Sequence, residues 1–202
     1  SLADGVPDID RGARPAKADL NFPCGAPPEP GEATEVADGV LWLRSPLPMA
    51  LNHINLWALR DGDGWTVVDT GLNYPAAREG WEAVFAGALA GRPVRRVICT
   101  HMHPDHVGLA GWITERFGAP LFMSRLEYIT MRMLVSDAGP APEEGARFYR
   151  ACGWSAEQIE HWRSRYGLFG KGVSAPPVAF HRLTAGETIE IDRIVDIIPH
   201  RF

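Results

Sequence analysis

Between residues 35 and 70 apolar and polar positions alternate with a period of two, the signature of strands that bury one face. Residues 36–44 hold the hairpin dipeptide Asp38-Gly39 followed by Val40-Leu41-Trp42-Leu43. A second strand is predicted over 53–59, a turn at Asp61-Gly62-Asp63-Gly64, and a third strand over 65–69. The period then lengthens. Residues 75–90 read as a helix, with Pro75 in its first turn and Trp81, Val84, Phe85 and Leu89 on one face. A short apolar strand over 94–99 leads to a second helix over 107–117, closed by Gly118, and to a strand over 121–123. This order predicts a layered α/β protein.

The next stretch changes character. Residues 125–135, 142–151 and 155–166 are three helical segments without intervening strands, the last opened by Ser155-Ala156-Glu157-Gln158 as a capping box. They read as an insertion over 124–175 that covers one end of the sheet. Tyr128, Met131, Met133, Phe148, Tyr149, Trp154 and Trp162 are expected to face its core, as Met and aromatic residues at helical spacing usually do. Strands return over 179–183, 188–191 and 194–198. Residues 1–34 are rich in Pro and Gly, show no period, and read as an N-terminal arm; 35–202 form the domain.

Composition adds few constraints. A chain of 202 residues with 46% hydrophobic content is enough for one packed domain. A net charge of −5 argues against nucleic acid as a partner, because phosphate contacts need clustered Lys and Arg. Cys24, Cys99 and Cys152 are scattered and form neither a disulfide framework nor a zinc ribbon. No stretch reads as a signal peptide and none as a membrane span, so a cytoplasmic protein without membrane contact is expected.

The chemistry is concentrated in Thr100-His101-Met102-His103-Pro104-Asp105-His106. Imidazole and carboxylate are zinc ligands, and a catalytic zinc takes about three protein ligands while keeping a position for water. In a tight loop after a strand, His101 and His103 point the same way and can share one metal. Asp105 and His106, at the start of the following helix, can serve a second. Two metals about 3.5–4 Å apart clamp both the attacking and the leaving oxygen. A surface loop that happens to be His-rich is the bland alternative, and four donors in six residues make it a poor one.

The run His101-Met102-His103-Pro104-Asp105-His106-Val107-Gly108 resembles the metallo-β-lactamase superfamily of zinc hydrolases. So does Val67-Val68-Asp69-Thr70-Gly71, together with the Asp38-Gly39-Val40-Leu41 hairpin and Asn55-Leu56. The resemblance implies an α/β (α+β) fold of the αββα sandwich type. It assigns His101 and His103 to one zinc, and Asp105 and His106 to the other, with the latter two also closest to the chemistry. It gives Asp69 a supporting role as a carboxylate that orients a ligand; as residues alone, Asp-Thr-Gly reads first as a turn at a strand end. The implied reaction is attack of a metal-bound hydroxide on the carbonyl of a small-molecule ester, thioester or lactone. Met49, in the loop before the second strand, and His53 are candidates for the substrate pocket, though His53 also reads as a surface residue.

The family completes its metal sites with a later His, a bridging Asp and a final His. Downstream of His106 the chain offers His161, His181 and His200. The first two read as surface residues; His200, after an apolar strand and Pro199, is the possible further ligand. The expectation is therefore the N-terminal portion of the sandwich, incomplete at its C-terminus. The alternative is a truncated, metal-poor and inactive domain that self-associates, for instance as a homodimer, or binds a partner.

Overall fold

The computed structural model describes residues 22–192. The expected strand over 194–198 and His200 lie outside the described residues. Among the described residues seven strands form one sheet in sequence order: β1 (Ala33–Ala37), β2 (Val40–Pro46), β3 (His53–Asp61), β4 (Gly64–Val68), β5 (Val94–Ile98), β6 (Leu121–Ser124) and β7 (His181–Leu183). The first four pair antiparallel and the last four parallel. Each change follows from the connection: tight turns at Gly39 and Gly62, both in the left-handed region that favours glycine, reverse the chain. Helical crossovers after β4, β5 and β6 return it parallel.

Side-chain alternation divides the sheet into two faces. Leu41, Leu43, Leu56, Ala58, Val67, Val97, Leu121 and Met123 face the main core. On that side lie α1 (Pro75–Ala86), α3 (Ala110–Phe117) and α4 (Arg125–Ser136), which contribute Trp81, Val84, Phe85, Ile113, Tyr128 and Met131. The opposite face carries a smaller cluster of Leu59, Ile98, Ile189 and Ile191, with Val40, Val68 and Phe122 against it. Trp42 and Trp57 stack there with ring centroids 6.5 Å apart, and Trp57 is exposed. Residues 188–191 supply an isolated bridge at Ile189 in place of the expected strand.

The helix expected over 107–117 is broken. A single turn, α2 (Pro104–Val107), precedes α3, and Gly108-Leu109 separates them. Ser174 causes the break: its backbone N–H and hydroxyl both donate to Gly108 O, at 2.7 and 2.8 Å, and its Oγ accepts from Trp112 N at 3.1 Å. The hydrogen bond that would continue the helix from Trp112 to Gly108 is thereby replaced. Gly111 is required beside it, since a Cβ there would lie 1.9 Å from Ala175 O.

The insertion consists of α4, α5 (Glu143–Ala151), α6 (Ala156–Arg165) and a 3-10 turn at Phe169–Gly172. Tyr128 and Met131 are buried as expected. Met133, Phe148 and Trp154 are instead exposed. Met133 and Phe148 lie on outward faces of α4 and α5, and Trp154 lies in the turn between α5 and α6. Tyr149 stacks on Trp154 and lies 5.1 Å from Trp162, so these rings pack on one another rather than on the sheet.

Candidate metal centre

The candidate ligands follow β5, at the carboxyl end of the parallel strands, where open α/β sheets present their binding loops. The base of the site is the segment 69–71. Asp69 N donates to Ile98 O at 2.8 Å, and Thr70 donates to His106 O through both its N–H (2.7 Å) and its hydroxyl (2.8 Å). Leu109 N donates to Gly71 O, and Trp81 Nε1 seals the segment from below by donating to Thr70 O at 2.7 Å. Asp69 adopts φ 60°, a left-handed conformation that Asp tolerates better than most residues. That conformation turns its carboxylate up into the loop.

The Asp69 carboxylate is buried and fully used. It accepts from Thr100 N at 2.8 Å, from the Thr100 hydroxyl at 2.8 Å, and from His106 Nδ1 at 2.8 Å. Thr100 Oγ1 also lies 2.9 Å from His101 Nδ1. With the single hydroxyl proton directed at Asp69, His101 donates its Nδ1–H to Thr100. An Nδ1 proton on each ring completes these contacts, the tautomer that would leave Nε2 of His101 and His106 free to ligate. This is the arrangement by which a carboxylate prepares imidazoles to bind metal.

The three rings are neighbours. The His101 centroid lies 3.9 Å from that of His106 and 4.8 Å from that of His103. The carboxylate of Asp105 stands 3.5 Å from His106 Nε2. Burial pushes the His101 pKa below its ordinary value, and the adjoining His106 and His103 push it further, so the neutral, ligating form is favoured. In donor type these residues match the ligands a divalent metal takes. Among the described residues, however, no group of three or more His, Cys, Asp or Glu side chains stands so that it could hold a metal ion.

Met49 is exposed in the loop between β2 and β3. His53 begins β3, half-buried, with Nδ1 2.6 Å from Asn52 Oδ1. Buried Cys99 adjoins the site, and its thiol pKa is pushed well up by burial and by the Asp69 carboxylate. Sequence reasoning missed Thr100 as the link between His101 and Asp69. It also missed Glu127, whose Oε2 accepts from Met102 N at 2.7 Å.

Residues 50–194 match the sequence profile of the metallo-beta-lactamase superfamily, and the chain belongs to that family. The fold agrees. A beta-lactamase domain protein from Burkholderia ambifaria superposes with a TM-score of 0.72 at 38% identity, over 84% of this chain and 49% of that one. The metallo-beta-lactamase family protein TTHA1429 from Thermus thermophilus gives 0.53 at 28% identity, over 78% of this chain and 50% of that one. A Bacillus subtilis (strain 168) protein described as a probable metallo-hydrolase, YybB, is 36% identical over 78 residues, which are 38% of this chain and 33% of YybB. The chain thus spans about half the length of these solved structures and a third of YybB. No helix among the described residues is long and apolar enough to cross a membrane.

Proposed function

We propose that this chain carries the metal-binding loop of a zinc-dependent hydrolase that cleaves a small ester, thioester or lactone. The observation that carries the reading is the linkage of His106 and, through Thr100, of His101 to one buried carboxylate, Asp69. A loop that was His-rich by accident has no reason to tie two of its imidazoles to one buried carboxylate. Family membership and the resemblance to YybB, described as a metallo-hydrolase, support the reaction class.

In this reading His101 and His103 would hold one metal, and Asp105 and His106 a second. A bound zinc supplies Lewis acidity and lowers the pKa of water toward neutrality. The chain's own residues do the rest. Asp69 keeps the proton on His106 Nδ1 and, through Thr100, holds the His101 ring in place. Asp105 presents its carboxylate beside His106 Nε2. Exposed Met49 offers an apolar contact to the substrate's acyl or alkyl part, with His53 following it at the start of β3. His200 is proposed as a further ligand from outside the described residues. A cytoplasmic location belongs to the same proposal, supported by three free cysteines.

Turnover of a panel of chromogenic esters, thioesters and lactones by the zinc-supplemented protein tests this reading. Activity abolished by His103→Ala supports it; activity that survives the substitution rejects it.

One observation favours a second reading, a metal-poor domain that self-associates: the sheet face bearing exposed Trp57 is covered, among the described residues, by the short segment at Ile189 and Ile191 and by no helix. Sedimentation as an assembly larger than the 22.2 kDa chain, without zinc uptake, would favour it.

A further inference from the structure

We infer that Glu127, in the first turn of α4, is a positioning residue for the metal loop, holding the backbone between His101 and His103. The inference rests on the reading of residues 101–106 as ligating. Ser124-Arg125-Leu126-Glu127 has the sequence of a capping box, in which the third helical residue turns back to the N–H of the cap. Only half of that box forms: Ser124 Oγ accepts from Glu127 N at 3.3 Å. At α6 the same pattern closes fully, with Ser155 Oγ accepting from Gln158 N at 3.2 Å and Gln158 Oε1 accepting from Ser155 N at 2.8 Å. The Glu127 side chain is drawn away from its own helix to Met102 N, 25 positions earlier in the chain.

Met102 lies between the two histidines that would share a metal, so the orientation of its peptide plane sets the angle at which their rings project. The loop is fixed at this residue from two sides. The Met102 side chain packs against the main core, and its N–H is held by a part-buried carboxylate. A charge-assisted hydrogen bond of 2.7 Å is among the stronger restraints a side chain can place on a backbone. The inserted helices are thereby tied to the metal loop, and α4 keeps the His101–His103 turn in shape before any ligand arrives.

Three variants of the full chain test this: Glu127→Ala, Glu127→Asp and Glu127→Gln. Aspartate keeps the charge at the helix start but withdraws the carboxylate by one methylene; glutamine keeps the reach and an acceptor oxygen. Amide hydrogen exchange of Met102 in the metal-free protein reads the hydrogen bond, and competition with a chromophoric chelator reads zinc affinity. Exchange should accelerate several-fold in the Ala and Asp variants and stay near wild type in Gln. Zinc affinity should fall about tenfold in the first two and recover in the third. Unchanged Met102 exchange in both Ala and Asp would overturn the restraint, and faster exchange with unchanged zinc affinity would overturn the positioning role. A wild-type chain that takes up no zinc removes the ligating reading and the metal-positioning role with it. The exchange data then still decide whether Glu127 holds the loop.

Discussion

Asp69 Oδ2 lies 2.8 Å from His106 Nδ1, and the same carboxylate accepts the backbone N–H of Thr100. One buried side chain thus joins the end of β4 to both ends of the candidate metal loop. Two substitutions separate its structural and chemical duties. Asp69→Ala leaves the Thr100 N–H without its acceptor and should cost about 1–3 kcal/mol of stability. Asp69→Asn tolerates the left-handed backbone and keeps an oxygen for Thr100, but it places an NH2 opposite His106 Nδ1. The imidazole must then carry its proton on Nε2, where it blocks ligation. The Asn variant should melt close to wild type yet bind zinc about 10–100-fold more weakly. Thermal melts and chelator competition, run side by side, check both.

Packing around the loop gives a second expectation. A Cβ at Gly111 would lie 1.9 Å from Ala175 O and 2.8 Å from its carbonyl carbon, both backbone atoms that cannot step aside. Gly111→Ala should destabilise the fold by about 2 kcal/mol or more. At this chain length that corresponds to a drop of roughly 4–8 °C in Tm. Gly118→Ala meets nothing within 4 Å and carries only the strain of φ 62°, so it should lose less. Calorimetry of the two variants tests the order.

Within the insertion, Tyr166 donates its hydroxyl to Asp137 Oδ2 at 2.6 Å. That hydrogen bond, with burial and added repulsion from the Asp137 and Glu144 carboxylates, raises the phenol pKa above its ordinary value of 10.0. A folded-state pKa above the unfolded one means that the contact's stabilisation is complete below pH 10 and is lost as pH rises through the folded value. Difference spectrophotometric titration against Tyr166→Phe should show ionisation above pH 10. Asp137→Asn should bring it down; an unchanged titration would show that the contact does not form.

Much of this architecture is legible in the chain because it is local. The period of two in β2 and β3, the turns at Gly39 and Gly62, and the run at 101–106 each depend on neighbours a few positions away. What escapes depends on distant partners. Nothing near Gly108 announces the break before α3, because Ser174 makes it from 66 positions away. Nothing local marks Glu127 as part of the site; only the fold shows that its side chain serves Met102 rather than closing a box with Ser124. Asp69 has two readings at the sequence level, turn former and orienting carboxylate. The structure shows one residue with both a left-handed backbone and a hydrogen bond to His106. Met133 and Phe148 fit a helical stripe, but a stripe does not say whether anything lies opposite it.

The central claim is that residues 101–106 bind metal through histidines held by Asp69 and Thr100. Zinc titration calorimetry of the purified chain, compared with the His101→Ala and His103→Ala variants, tests it most directly. The account predicts saturable zinc binding by the wild-type chain and a clear loss of affinity in each variant. Absence of zinc binding by the wild-type chain, or binding that both substitutions leave unchanged, would contradict it.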